Sequence, residues 1–253
     1  MIKLSTSEWT IDNIEYVLFD KDGTFIDLHY FWGKMTELRA LEVINAYNLN
    51  KDFFEKLCYI LGYDTKKQKM LPDGITALYS RTKIIEIFKE NLEQFDVYTT
   101  TNHIEEIFDK VSEIFYKNID KYTKPIPEAI DFIMNLHASG VKLGIVTSDS
   151  IVSTNMTLNQ FGWDKYFDVV IGRESSDYTK ESGEPTKLAI NILNAPPKRT
   201  IMIGDTPTDS ISAKNAGINK TILVATGQIN KNTLKKSSAF SVNNLSEIQI
   251  DIL

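Results

Sequence analysis

Cysteine and excess positive charge are both scarce in this sequence. Cys58 is the only cysteine in the 253 residues, so no disulfide can form within the chain, and this usage suits a reducing cytoplasm. The 28 basic residues are outnumbered by 34 acidic ones, which gives a formal net charge of −6. General nucleic-acid binding needs a basic surface, so we expect no nucleic-acid partner.

Long hydrophobic segments are missing as well. The apolar runs are as short as single strands, whereas a membrane-spanning helix needs about 20 apolar residues. Residues 1–10, "MIKLSTSEWT", contain no apolar core of a signal peptide. We therefore expect a cytoplasmic protein with no membrane partner, and the sequence predicts no particular oligomeric state.

Short hydrophobic runs are present instead, and helical patterns separate the later ones. The runs cover residues 16–19, 141–146, 168–172, 200–204 and 221–225. Continuous apolar runs of this length are typical of parallel strands that are buried on both faces. Strands that alternate with helices from about residue 127 onward predict an α/β fold with a doubly wound parallel sheet.

The stretch from residue 28 to residue 121 has a different pattern, without a convincing strand. Its clearest helical stripe comprises Ile104, Ile107, Phe108, Val111, Ile114 and Phe115. Helices are also predicted near 51–61 and 76–93. We therefore predict an all-α domain over residues 28–121, inserted into an α/β core that is formed by residues 1–27 and 122–253.

Polar side chains follow three of the predicted strands. They are Asp20 and Asp22 after the first run, Thr147 and Ser148 after the second, and Asp205 and Asp209 after the fourth. Ligands bind beyond the carboxyl ends of parallel strands, so these side chains are predicted to gather at one edge of the sheet. Clustered carboxylates repel one another unless a cation lies among them, and oxygen ligands favour Mg²⁺. Magnesium in turn pairs naturally with a phosphate substrate.

Two carboxylates that lie two residues apart are more than a turn requires. A carboxylate can attack phosphorus and form an aspartyl-phosphate. A second acid can protonate the leaving group and then activate water. We predict that Asp20 and Asp22 divide these tasks, although helix capping and turn formation are the simpler interpretation of each aspartate taken alone.

Four segments, taken in this order, resemble the motifs of the haloacid dehalogenase superfamily. They are "DKDGT" at 20–24, Thr147 in "GIVTSD", a lysine in the loop before "EPTK", and "GDTPTD" at 204–209. The inserted helical block resembles the first type of cap in that family. The resemblance covers nearly the whole chain and implies a Rossmann-like core.

The resemblance also implies a role for each residue. Asp20 would be the nucleophile, Asp22 the general acid and base, and Thr147 and Lys180 would hold the phosphoryl group. The Mg²⁺ site would comprise Asp20, the backbone carbonyl of Asp22, Asp205 and Asp209. Gly23 would permit the tight turn.

Some residue assignments stay open. The family commonly has Lys-Pro-x-Pro in the third motif, whereas "KESGEP" places Lys180 five residues before Pro185, so Lys187 is an alternative. Ser148 and His29 are further candidates for substrate binding.

Three further residues in or next to the motifs are predicted to be structural. Asp149 and Ser150 are expected to cap the following helix. Lys21 is expected to face away from Asp20 and Asp22, because side chains alternate along an extended segment.

The implied activity is a Mg²⁺-dependent phosphatase that hydrolyses a small phosphomonoester, similar to the phosphoglycolate phosphatases of the family. The partner would be a small phosphorylated metabolite. Dehalogenases of the family lack the second acid, so Asp22 argues against that reaction. A sugar-phosphate mutase, which uses the same two aspartates, and a phospho-ligand binding protein that has lost turnover would also fit these residues.

Overall fold

The computed structural model describes all 253 residues, which form two compact units. One unit comprises Met1–Asp27 together with Pro125–Leu253, and the other comprises Leu28–Lys124. We call them the core unit and the inserted unit. No helix in either unit has the length and apolar character needed to cross a membrane.

The elements are numbered along the chain. The strands are β1 (Ile2–Ser5), β2 (Thr10–Ile14), β3 (Tyr16–Phe19), β4 (Tyr63–Asp64), β5 (Lys69–Met70), β6 (Lys142–Val146), β7 (Val169–Ile171), β8 (Thr200–Gly204), β9 (Thr221–Val224), β10 (Phe240–Val242) and β11 (Gln249–Ile252). The α-helices are α1 (Leu28–Tyr47), α2 (Phe54–Ile60), α3 (Ile75–Leu78), α4 (Arg81–Leu92), α5 (Thr101–Lys117), α6 (Ile119–Tyr122), α7 (Pro127–Ala138), α8 (Ile151–Phe161), α9 (Glu184–Ile192), α10 (Pro207–Asn215) and α11 (Lys231–Leu234).

A six-stranded sheet forms the centre of the core unit. Its strand order is β10-β9-β8-β3-β6-β7, and all of its neighbouring strands are parallel. Val17, Leu18 and Phe19 of β3 are fully buried, as expected for a strand that is covered on both faces. The chain continues from β3 to β6 and β7 on one side and returns to β8 on the other. The doubly wound parallel sheet predicted from the sequence is therefore confirmed.

A second, antiparallel sheet was not predicted. It has the order β11-β1-β2, and the β1–β11 register pairs Ile2 with Ile252. Ile2, Leu4, Ile11 and Ile14 are buried on one face of this small sheet. Its strands are short and partly polar, and β1 pairs with a strand near the far end of the sequence, so the sequence pattern alone carried little signal.

The inserted unit is helical except for one hairpin, β4–β5, which the sequence pattern did not reveal. Its core packs residues of α1, α2, α4 and α5, including the fully buried Phe88 and Phe108. The predicted stripe on α5 is buried apart from Ile114, which is 38% exposed. The helices predicted near 51–61 and 76–93 correspond to α2 and to α3 with α4.

Candidate active site

Asp20 lies directly beyond the carboxyl end of the central strand β3. Its backbone N–H donates to the carbonyl of Ile203 on β8 at 2.8 Å, which extends the sheet pairing by one residue. The chain then turns back, and the N–H groups of Thr24, Phe25 and Ile26 all donate to the carbonyl of Lys21. Gly23 has a φ of 86° in this turn, a conformation that residues with a Cβ rarely adopt.

Three buried carboxylates lie together at this edge of the sheet. One carboxylate oxygen from each of Asp20, Asp205 and Asp209 lies within 4.8 Å of the other two. Asp205 follows β8, and Asp209 lies in the first turn of α10. The structure therefore brings together aspartates that follow the first and fourth apolar runs of the sequence.

Burial makes the negative charge of this cluster costly. It raises the pKa of Asp20 to about 7, although the ammonium of Lys180 lowers the pKa and the charge of Asp209 raises it further. Burial also raises the pKa of Asp205 well above its ordinary value, and the charges of Asp20 and Asp209 act in the same direction. The cluster thus contains more negative charge than its surroundings compensate.

Lys180 is the lysine that lies among these carboxylates. Its Nζ is 2.6 Å from Oδ1 of Asp20 and 2.6 Å from Oδ1 of Asp209. Burial opposes the charged ammonium, but these two carboxylates outweigh that effect and raise the pKa of Lys180 above its ordinary value. The alternative, Lys187, is 42% exposed and pairs with Glu184 at 2.6 Å instead.

Asp209 uses its two carboxylate oxygens for different purposes. Oδ2 accepts hydrogen bonds from the backbone N–H and the hydroxyl of Thr206, at 3.0 and 2.9 Å, and this caps α10. Oδ1 contacts Lys180. Pro207 occupies the start of the helix, where its missing N–H is tolerated.

Thr147 and Ser148 follow β6, next to β3 in the sheet. Thr147 is buried, and its backbone N–H donates to the carbonyl of Ile171 at 2.9 Å. Its Oγ1 accepts from the N–H of Asp149 at 3.1 Å, and a hydroxyl that accepts in this way still has its own O–H to donate. Ser148 is exposed at the same strand end.

The prediction that Lys21 faces away from Asp22 is wrong. Lys21 is fully buried, and its Nζ lies 2.7 Å from Oδ1 of Asp22 and 2.9 Å from Oδ2 of Asp149. The prediction assumed an extended segment, whereas the chain turns directly after Asp20. The prediction that Asp149 caps α8 is also wrong, because the cap is Ser150, whose hydroxyl accepts from the N–H of Ser153.

The loop after β9 also reaches the site, which the sequence reasoning missed. The hydroxyl of Thr226 donates to the carbonyl of Gly23 at 2.6 Å. A Cβ placed on Gly227 would lie 1.8 Å from Oδ2 of Asp205, so only glycine fits there without displacing that carboxylate. The sequence signal was a glycine shortly after a predicted strand, which is weak by itself.

His29 belongs to α1 of the inserted unit. It is partly buried, and its Nδ1 accepts a hydrogen bond from the backbone N–H of Met70 on β5 at 3.1 Å. This bond orients the ring against the hairpin of its own unit.

The donor set of the cluster fits Mg²⁺. Three carboxylates are accompanied by one ammonium, and all of the oxygen donors are hard ligands of the kind that Mg²⁺ prefers. Asp20 and Asp205 are the best placed to hold an ion, because both oxygens of Asp209 already have partners. The raised pKa values of Asp20 and Asp205 are those expected of carboxylates that a bound cation would stabilise.

The fold and the cluster define a doubly wound α/β protein with an acidic site at the carboxyl edge of its central strands. Residues 14–217 match the family model described as haloacid dehalogenase-like hydrolase. The chain belongs to this family and is a phosphatase-type enzyme of it, in agreement with the resemblance found in the sequence.

Curated relatives support this membership over most of the chain. Pyrophosphatase PpaX of Halalkalibacterium halodurans is 31% identical over 146 residues, which cover 58% of this chain and 67% of the relative. Pyrophosphatase PpaX of Bacillus mycoides is 26% identical over 212 residues, 84% of each chain.

Solved structures agree on the fold. A subfamily IA hydrolase of the superfamily from Geobacter sulfurreducens has a TM-score of 0.62 at 19% identity and covers 93% of this chain and 94% of its own. CbbY from Rhodobacter sphaeroides in complex with phosphate has a TM-score of 0.61 at 17% identity, with 92% and 96% covered. YfnB from Bacillus subtilis bound to magnesium has a TM-score of 0.63 at 19% identity, with 93% and 97% covered.

Proposed function

We propose that this enzyme is a Mg²⁺-dependent phosphatase that hydrolyses a small phosphomonoester in the cytoplasm through an aspartyl-phosphate. The observation that carries the proposal is the cluster of Asp20, Asp205 and Asp209 with the ammonium of Lys180 between two of them. Bound Mg²⁺ would supply positive charge to the cluster and to the phosphate oxygens. In this proposal Asp20, the carbonyl of Asp22 and Asp205 hold the ion, with Asp209 in support.

Asp20 is the proposed nucleophile. One oxygen of Asp20 contacts Lys180, which favours the ionised form that attack requires. The carboxylate attacks phosphorus, an O–P bond forms to Asp20, and the bond from phosphorus to the leaving oxygen breaks. Lys180 stabilises the charge that spreads over the equatorial oxygens during the transfer.

Asp22 is the proposed general acid and base. It gives its proton to the leaving oxygen in the first step. In the second step it takes a proton from the water that attacks the aspartyl-phosphate, which releases inorganic phosphate and restores Asp20. Its carboxylate lies two residues from the nucleophile in the same loop and is held by Lys21.

Thr147 and Lys180 are proposed to bind the phosphoryl group. The O–H of Thr147 can donate to one phosphoryl oxygen while the ammonium contacts another. Ser148 is a second hydroxyl at the same strand end. We propose that residues 28–121 act as a cap and that His29 at its start contacts the rest of the substrate.

Pyrophosphate is a second candidate substrate, because the PpaX relatives are named pyrophosphatases. A phosphoanhydride uses the same attack on phosphorus and the same cluster. A sugar-phosphate mutase would rely on the same pair of aspartates. A phospho-ligand binding protein with weak activity would use the cluster for binding and turn over little substrate.

A phosphatase screen separates these possibilities. The panel contains p-nitrophenyl phosphate, sugar phosphates, nucleotides, phosphoglycolate and pyrophosphate, each measured with Mg²⁺ and with EDTA. We expect turnover that requires Mg²⁺, and acid-quenched enzyme should carry a phosphoryl group on the peptide that contains Asp20. Full activity in EDTA would refute the metal-dependent mechanism. Isomerisation of a sugar phosphate primed by a bisphosphate would favour the mutase.

A further inference from the structure

Lys21 is a fully buried ammonium in the loop that carries the two catalytic candidates. Removing such a charge from water is costly unless carboxylates compensate it with good geometry. Two carboxylates do so, because Nζ lies 2.7 Å from Asp22 and 2.9 Å from Asp149. A buried apolar side chain would avoid this cost, so the charge of Lys21 calls for an explanation.

Asp149 is itself held firmly at the end of β6. Its Oδ1 accepts from the N–H of Ser150 at 2.7 Å, and its own N–H donates to the hydroxyl of Thr147 at 3.1 Å. Its carbonyl accepts from the N–H of Arg173 at 3.0 Å. Asp149 is therefore a fixed anchor on the loop that carries the phosphate-binding candidate Thr147.

Lys21 joins this anchor to the carboxylate of Asp22. Asp22 lies in the turn after β3, and its side chain is 16% exposed, whereas that of Asp149 is 3% exposed. The ion pairs thus connect a partly accessible carboxylate to an inaccessible one across two neighbouring loops. Nζ of Lys21 contacts Oδ1 and so restricts the orientation of the Asp22 carboxyl group, and in the acid form the proton is carried by the other oxygen, Oδ2.

We propose that Lys21 and Asp149 are positioning residues that hold the carboxyl group of Asp22 for proton transfer to the leaving group. This rests on the proposed function, in which Asp22 is the general acid. The transfer breaks the O–H bond of Asp22 and places the proton on the leaving oxygen as its bond to phosphorus breaks. A residue that only braces the fold would not affect this transfer selectively.

Two substrates whose leaving groups differ in their need for a proton allow proton transfer to be tested selectively. Nitrophenolate leaves readily without a proton, whereas the alkoxide of an alkyl phosphate such as glycerol phosphate needs one. We compare kcat/KM for p-nitrophenyl phosphate and for glycerol phosphate, because this ratio covers the steps up to departure of the leaving group. Lys21→Met is expected to lower kcat/KM for glycerol phosphate at least about tenfold more than for p-nitrophenyl phosphate.

Lys21→Met leaves Asp149 buried without its cation, so this variant is at risk of misfolding. The double variant Lys21→Met/Asp149→Asn removes both charges and retains the shapes of the side chains. It is expected to fold, as checked by its thermal midpoint, and to show the same selective loss. Lys142→Met is the matched control, because Lys142 forms an exposed pair with Asp168 and should leave both substrates unaffected.

Asp22→Asn, measured in parallel, separates the two proposals. A selective loss in Asp22→Asn and in the Lys21 variants supports both. A selective loss in Asp22→Asn alone, or an equal loss on both substrates in the folded double variant, overturns the positioning role and leaves the proposed function intact. An Asp22→Asn variant that does not distinguish the two substrates overturns the acid role and the inference together.

Discussion

Two buried lysines near the same sheet edge each contact two aspartates, but their surroundings differ in charge. Lys21 lies between Asp22 and Asp149. Burial raises the pKa of Asp149, but the ammonium of Lys21 and hydrogen bonds from Ser153 and Ser150 together outweigh burial and lower this pKa. Lys180 likewise contacts two aspartates, but Asp205 adds a third carboxylate close by.

This comparison shows which of the two groups has too little positive charge of its own to compensate its carboxylates. Around Lys180 the pKa values of Asp20 and Asp205 are raised rather than lowered. The surroundings of Asp149 thus lower its pKa despite burial, whereas the ammonium of Lys180 does not offset burial at Asp20 and Asp205. We therefore expect the Lys180 group to bind metal and phosphate and the Lys21 group to keep a fixed geometry.

The largest effect is expected at Asp20, the proposed nucleophile of the cluster around Lys180. Asp20→Asn keeps the shape of the side chain but removes its nucleophilic oxygen, so turnover should fall by about 10⁴ or more. The measurement is kcat with p-nitrophenyl phosphate at saturating Mg²⁺, together with a thermal melt to confirm folding. A variant that retains more than a few per cent of the wild-type rate would contradict covalent catalysis by Asp20.

Removing the ammonium of the cluster should have the next largest effect. Lys180→Ala should lower kcat at least about a hundredfold, because one preorganised contact to the phosphoryl group is lost. Lys187→Ala is the matched control, since that lysine pairs with Glu184 at the surface, and it should cost less than about tenfold. If Lys187→Ala were the more damaging variant, the phosphate-binding lysine would have to be reassigned.

The shortage of positive charge around Asp20 should make the stability of the metal-free protein depend on pH. The pKa of Asp20 is raised to about 7, so the folded state binds a proton that the unfolded state has already lost. The contribution of this proton to the free energy of unfolding is present at low pH and is lost as the pH rises towards 7. Each pH unit within that window costs up to about 1.4 kcal/mol per proton, so we expect a loss of about 2 kcal/mol between about pH 5.5 and 7.

Urea unfolding with EDTA and with Mg²⁺ at several pH values measures this effect. Magnesium should restore stability mainly at the higher pH, where the carboxylates are ionised and bind it best. Asp20→Asn should flatten the pH dependence. A metal-free wild-type protein whose stability rises steadily from about pH 5.5 to 7 would show that the carboxylate is not destabilised as described.

A smaller effect is expected from the loop after β9. Gly227→Ala places a methyl group against Asp205, whose carboxylate must then move. Asp205 is a proposed ligand of Mg²⁺, so displacing its carboxylate should weaken Mg²⁺ binding about tenfold. Calorimetric titration with Mg²⁺ measures this directly. Gly162→Ala is the control, because a Cβ at Gly162 meets no atom within 4 Å, so its cost should appear in stability and not in metal affinity.

Much of this fold and site could be predicted because the relevant signals are local. The strand β3 is an uninterrupted apolar run that ends at Asp20, and β8 ends in the same way at Asp205. Parallel strands bring their carboxyl ends to one edge, so the neighbourhood of these aspartates follows from the fold class. The sequence leaves Lys180 and Lys187 as alternatives, because the loop around Lys180 departs from the usual pattern of the third motif.

The features that were missed depend on contacts between distant parts of the chain. The pairing of β1 with β11 joins strands that no local pattern connects. Lys21 was misplaced because the turn after Asp20 ends the alternation on which the prediction relied. Gly227 matters only because Asp205 lies against it in space.

The two oxygens of the Asp209 carboxylate have different partners, and this arrangement offers a spectroscopic reporter of substrate binding. Oδ2 accepts a hydrogen bond from the backbone N–H of Thr206, and Oδ1 contacts the ammonium of Lys180. When that ammonium turns towards a phosphate, the electron density that the carboxylate offers to the Thr206 amide proton must change. The chemical shift of the Thr206 amide proton should therefore change as Lys180 moves during a titration with phosphate. No label has to be attached within the site.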